Sequence, residues 1–154
     1  MNVVEFVKEA APADGVSSRF AVNIRIDGRL LAEIMRDVEA PMAANERHPE
    51  IAGGYSAIGR PDDPEGHYLG QHRQKWGESK EKTLLLDCEC GCPGCWPLLC
   101  RIEIANDEVK WREFEQPHRG RNSKASFWDY SSFEGFTFSK EQYLSALLRM
   151  CRDA

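Results

Sequence analysis

The sequence predicts an α+β fold: an antiparallel sheet of about five to six strands, with two helices packed on one face. Three observations carry that prediction. Residues 20–26 alternate, with Phe20, Val22, Ile24 and Ile26 on one side and Ala21, Asn23 and Arg25 on the other. That period of two describes a strand with one buried and one wet face. Residues 29–39 and 139–151 instead repeat their apolar side chains at helical spacing. Finally, three strand-like runs between 83 and 112 follow one another through connections without a helical pattern, which favours an antiparallel meander over parallel crossover units.

The chain of 154 residues fits one domain, 1–154, and is long enough to bury a sizeable core. A composition of 42% hydrophobic and 29% charged residues excludes a disordered chain. The formal charge of −5 argues against broad electrostatic binding to nucleic acid or anionic lipid. The N-terminus lacks a charged segment followed by an apolar core, and no run approaches the roughly 18 apolar residues of a membrane span. A cytoplasmic location is therefore expected, with no membrane partner. Thiols stay reduced there, so clustered cysteines point to metal or redox chemistry before structural disulfides. Export would reopen the disulfide reading, because the count of six is even.

Taken in order, residues 3–8 form a short strand that pairs with 20–26, and Pro12, Asp14-Gly15 and Ser17-Ser18 punctuate the loop between them. Leu30, Leu31, Ile34, Met35 and Val38 mark the first helix, with Asp27 as its N-cap and Pro41 as its stop. A restart at Pro41 would carry helix to about Arg47. From 49 to 82 glycines and prolines break every periodic pattern. A loop of that length is uncommon in a compact domain and often functional. It carries His67, His72 and Trp76, and is either a cover over a site or a solvated insertion.

Residues 83–87 read as a strand buried on both faces, 98–105 as its partner, and 109–112 as the return strand after a turn at 106–108. Six aromatic rings between 127 and 138 must bury substantial surface. Ser139 with Gln142 forms a capping box for the last helix, whose stripe is Tyr143, Leu144, Leu147, Leu148 and Cys151.

Chemistry concentrates in residues 87–100, which hold five of the six cysteines. Cys92-Pro93-Gly94-Cys95 has proline and glycine where a type II turn wants them, and such a turn brings its end Cα atoms within about 7 Å. It belongs at the tip of a hairpin joining 83–88 to 98–105. A thiolate knuckle there can hold one side of a tetrahedral zinc at about 2.3 Å per sulfur. Cys88 and Cys90 share a face of the extended strand, and His118 lies on the loop after the return strand. The candidate ligands are thus Cys88, Cys90 and Cys95, with Cys92 or His118 as the fourth. Cys100 and Cys151 lie on apolar faces and read as core.

Other chemistries compete for the same residues. Cys92 and Cys95 could form a redox pair, although such pairs sit at helix N-termini and Trp96-Pro97 leads into a strand. Unliganded thiols could simply pack. Cys88 or Cys95 with His118 could make a nucleophile–base pair, but nothing places an orienting group or an oxyanion hole. The basic run 118–124 beside Phe127 and Trp128 has the residue types of a single-strand binder. No phosphate loop, nucleophile elbow or zinc-protease helix occurs.

The run Cys88-x-Cys90-Gly91-x-x-Gly94-Cys95-Trp96-Pro97-Leu98 forms a CxCGxxGCWPL motif. With Arg101-Ile102, Phe114-x-Gln116-Pro117-His118-Arg119, Trp128-x-Tyr130 and Phe136-x-Phe138, it resembles a group of uncharacterised bacterial proteins. The resemblance covers roughly the last seventy residues, with looser similarity at Asp27-Gly28 and residues 52–55. It implies no activity. The Cys92 position is not fixed in that pattern, which favours Cys88, Cys90, Cys95 and His118 as ligands and makes Cys92 the alternative.

The leading expectation is a small soluble bacterial protein, non-catalytic, with a structural zinc at its hairpin tip and acting through a protein partner. The alternatives are a thiol redox enzyme using Cys92 and Cys95, and an immunity or adaptor module that needs no metal.

Overall fold

The computed structural model describes residues 1–10, 20–75, 80–92 and 94–152. The loop signals at Pro12, Asp14-Gly15 and Ser17-Ser18, together with Trp76 and Pro93, lie outside them. The architecture is α+β, with all named strand pairs antiparallel. The antiparallel strands form two sheets where one of about five to six strands is expected: one of five strands and a second of four, which takes the first two strands of the chain.

The four-stranded sheet is built on β1 (Val4–Ala10) and β2 (Phe20–Ile26), paired from Val4↔Ile26 to Ala10↔Phe20. The other edge of β2 carries two-residue β3 (Arg29–Leu30) and β5 (Ile58–Gly59). The five-stranded sheet runs in the spatial order β4 (Tyr55–Ser56), β6 (Thr83–Cys88), β7 (Leu98–Ala105), β8 (Glu108–Glu115) and β9 (Phe136–Ser139). The meander expected for 83–112 is therefore observed and extended by β9. The Asn2 backbone N–H donates to Thr137 O at 2.8 Å, joining the entry of β1 to β9 and so one sheet to the other.

Three helices complete the fold: α1 (Leu31–Asn45), α2 (Pro64–Tyr68) and α3 (Lys140–Arg152). α1 packs on β2 and β3, and α3 on β1, β8, β9 and α2. One cluster of buried side chains joins both sheets and the helices, with Ile24, Leu31, Met35, Leu86, Trp111, Phe138 and Tyr143 all within 1% of complete burial. Cys100 is fully buried in that cluster and Cys151 packs against it half-buried, as their apolar faces predict. Among the described residues no helix is long and apolar enough to cross a membrane.

Several local expectations need correction. Asp27 does not cap α1. Asp27 and Gly28 both have positive φ and form the tight turn from β2 to β3, the hairpin use of an Asp-Gly pair. The Asp27 carboxylate accepts from Val3 N and Asn2 Nδ2, each at 2.8 Å. Pro41 does not stop the helix either, since α1 runs through it to Asn45.

The stretch from 49 to 82 contains β4, β5, α2 and a bridge between Gln74 and Lys82. These elements are too short to leave a periodic signal. Its histidines are engaged locally, His67 with Leu84 O at 2.7 Å and His72 with Asp63 at 2.8 Å. At α3, Ser139 Oγ accepts from Gln142 N–H at 3.4 Å. The Gln142 side chain reaches across to the Val4 backbone instead of closing the box, accepting from Val4 N and donating to Val4 O.

Candidate metal centre

The hairpin between β6 and β7 presents the cysteines. β6 ends at Cys88 beside Tyr55 of β4, where Ser56 Oγ donates to Cys88 O at 3.1 Å. The chain then turns out: Glu89 N–H donates to Gly54 O at 3.1 Å and Gly91 N–H to Cys88 O at 3.0 Å. At the far end, Cys95 N–H donates to Cys92 O at 3.3 Å across a turn in which Gly94 has φ +76°. That bond and that positive φ are what a type II turn requires at those positions.

Asp87 draws the loop together. Its carboxylate accepts Cys88 N–H at 2.8 Å and Gly94 N–H at 3.0 and 3.2 Å. One short acid thus fixes the residue carrying the first thiol and the residue before the last. Along the sequence, Asp87 is only the end of a strand. The available signal is its place just before a glycine-rich hairpin loop, where a short acidic side chain can reach several N–H groups.

The result is a cluster of thiols. The sulfurs of Cys88, Cys90 and Cys95 all lie within 4.8 Å of one another, with Cys88 half-buried and the other two exposed. A tetrahedral zinc with bonds of about 2.3 Å would set its sulfurs about 3.8 Å apart, so a contraction of an ångström or less makes one face of such a site. The three residues can hold a metal ion.

The Cys90 thiol is held below the ordinary thiol range. The Cys88 thiol hydrogen-bonds to its sulfur, and with the Cys92 backbone N–H brings it down to about 7. Burial, and then the same neighbour, push Cys88 up to about 12. Cys92 is pushed up by its hydrogen bond to Cys90. A thiophilic cation would displace the shared protons and satisfy all the sulfurs together.

The two remaining candidates stand beside this triangle. Cys92 is exposed and its thiol reaches Cys90. The His118 ring has its Nε2 on Gly94 O at 2.8 Å and stacks on Trp96 at 6.3 Å. So the structure brings Cys88, Cys90 and Cys95 together and leaves Cys92 and His118 outside that group, with His118 on the backbone of the same loop.

Behind the thiols lie two polar networks that periodicity does not reveal. Glu39 of α1 is fully buried. Its carboxylate accepts from Gly53 N at 2.8 Å and from the hydroxyls of Tyr55 and Tyr130 at 2.5 Å each. Burial raises its pKa despite those bonds. Gly53 is obligatory in this arrangement, because a Cβ there would meet Ala32 O and Arg36 Cβ at 2.6 Å. Gln116, 1% exposed, carries the network to the hairpin. It donates to Tyr55 OH at 3.3 Å and to Pro97 O at 2.9 Å, and accepts from His118 N at 3.1 Å.

The second network is at the C-terminal end of α1. The Glu46 carboxylate accepts from Arg119 Nε at 3.0 and 3.2 Å, from Ser126 Oγ and from Trp128 Nε1. Partial burial raises its pKa, but these hydrogen bonds outweigh it and hold the group below the usual carboxylate range. Arg119 lies over Trp96 at 5.0 Å and over Trp128 at 5.8 Å. Both segments flanking the thiol loop, Trp96-Pro97 and Gln116 to Arg119, are thus tied to one helix.

Comparison with known proteins finds no matching family model, no match among curated proteins and no match among solved structures.

Proposed function

We propose that this chain is a non-catalytic protein whose hairpin loop holds a structural zinc ion, and that it acts in the cytoplasm through a protein partner. The observation that carries the reading is the triangle of Cys88, Cys90 and Cys95 sulfurs within 4.8 Å. Thiolates in a tetrahedral arrangement select zinc over the hard cations, which prefer oxygen. Zinc also suits a stabilising role here, because it would cross-link the end of β6 to the start of β7. The bacterial group that the motif resembles favours Cys88, Cys90, Cys95 and His118 as the ligand set.

The alternative, a thiol redox reaction at Cys92 and Cys95, draws no support from the lowered Cys90 thiol, which lies outside that pair and is brought down to about 7 by the Cys88 thiol beside it. The residues after Cys95 also enter a strand and not a helix.

Thermal unfolding with and without one equivalent of zinc separates the two. The zinc reading expects a rise in melting temperature that a chelator reverses and that Cys95→Ser abolishes. A melting temperature indifferent to zinc, with one cysteine alkylated much faster than the others, refutes it in favour of thiol chemistry.

A further inference from the structure

We propose that the cleft between β8 and the 117–134 segment docks the protein partner, and that it takes an acidic stretch of peptide carrying an aromatic side chain. The proposal rests on the partner half of the reading above and not on the zinc ion. The cleft has a volume of about 1440 Å³, and Pro117, His118 and Arg119 form one wall of it. Its lining includes an apolar patch, where Phe133 lies on buried Phe114 with ring centroids 5.1 Å apart. Phe127 lines the same cleft with 42% of its surface exposed, and the Arg121 guanidinium lies over its ring at 4.7 Å. Aromatic rings and arginines are the residue types that dominate binding energy at protein interfaces. The wall behind them is already fixed. Glu46 holds both Arg119 and Trp128 Nε1, and Trp128 N–H donates to Arg119 O at 2.9 Å. A partner docking there has little to order on this side of the interface.

Charge decides what docks. Five Lys or Arg and four Asp or Glu line the cleft. Lys82 pairs with Glu115 at 2.7 Å, Arg119 with Glu46 at 3.0 Å, and Glu113 with Arg101 at 3.5 Å. Arg112 donates to Phe136 O at 2.9 Å and to Thr137 Oγ1 at 2.8 Å, and these neutral acceptors leave its charge uncompensated. Outside those pairs the cleft holds three cations, Lys80, Arg112 and Arg121, against two acids, Asp129 and Glu134. It is therefore positive on a chain whose net charge is −5, the complement of an acidic segment. Arg121 also offers the planar fork that grips a carboxylate at two points. Nucleic acid suits the cleft less well. It carries a phosphate at every nucleotide and would set some of them against Asp129 and Glu134, whereas a peptide can keep its acids to chosen positions.

Selection of random peptides displayed on phage against the immobilised full chain tests the proposal without a known partner. The expected result is a set of binders enriched in Asp or Glu together with Phe, Tyr or Trp. Fluorescein-labelled synthetic versions of them should bind Phe127→Ala and Arg121→Glu at least about tenfold more weakly in anisotropy titrations. Their affinity for the unmodified chain should fall as salt rises. Both side chains are exposed, so both variants should keep the native melting temperature. Binders without that composition, or with affinity unchanged in either variant, overturn the proposal and leave the partner reading standing. Failure to select any binder removes both. A labelled oligothymidylate that binds more tightly than the selected peptides, and weakens in the same two variants, overturns the proposal in favour of nucleic acid.

Discussion

Around Glu39 three donors converge on one carboxylate sealed from water, whereas around Cys90 the thiols meet at the surface with fewer hydrogens than lone pairs. Both clusters adjoin the same hairpin, and Gln116 connects them through Pro97 O. The buried network is saturated: each donor reaching Glu39 has its acceptor, so it holds structure and has no coordination left to offer. The thiol cluster is unsaturated in the sense that matters for binding. Its sulfurs compete for protons and would all be satisfied by one cation. Proximity of polar groups alone therefore does not mark a site. What marks one is convergence with an unmet requirement, at a place a ligand can reach.

The sharpest way to break this comparison is to remove the centre of the saturated cluster. Glu39→Leu leaves the Tyr55 and Tyr130 hydroxyls and Gly53 N–H buried without an acceptor. The expected cost is about 3–5 kcal/mol in denaturant unfolding. A cost under about 1 kcal/mol would mean that the network is incidental.

The next effect comes from the ion. Saturating zinc should raise stability by about 2.7 kcal/mol when free zinc is about a hundredfold above its dissociation constant, and Cys88→Ser should erase the gain. Glu39→Gln should leave the zinc dependence intact, because the two clusters differ in kind.

Asp87→Asn tests whether the thiols are prearranged. The amide keeps the size but accepts the two N–H groups less strongly. Zinc affinity is expected to fall by about 10–100-fold, with unfolding free energy in chelator changed by no more than about 1 kcal/mol. An unchanged affinity in a competition titration would show that the loop organises without this carboxylate.

The smallest effect is a contrast in pH dependence along α1. Glu39 has a raised pKa, so its contribution is present below the ordinary value of 4.5 and is lost as pH rises through the higher folded value. Glu46 is lowered, so its contribution is present above 4.5 and is lost as pH falls through the lower folded value. Stability profiles of Glu39→Gln and Glu46→Gln should therefore diverge from the native profile at opposite ends of the acid range. Profiles that diverge at the same end would contradict the assigned causes.

The long periodic elements are legible in the sequence because burial repeats along them. The alternation of 20–26, the meander after 83 and the stripe of α3 all leave such a pattern. It fails where a few hydrogen bonds do the work of burial. β4, β5 and α2 are two to five residues long, and Asp27-Gly28 closes a turn where a helix cap was expected. At the site, residue type and spacing suffice for Cys88, Cys90 and Cys95. Glu39, Glu46 and Gln116 are invisible in the same way, since each acts on residues brought near only by the fold. A buried glutamate inside an amphipathic helix reads as one more solvated charge until its tyrosines arrive from 16 and 91 residues away.

Elemental analysis of the full chain purified without chelator tests the zinc site most directly. The expected result is about one equivalent of zinc per chain, absent from Cys88→Ser and Cys95→Ser. Less than about a tenth of an equivalent, with every exposed thiol freely titratable, would contradict it.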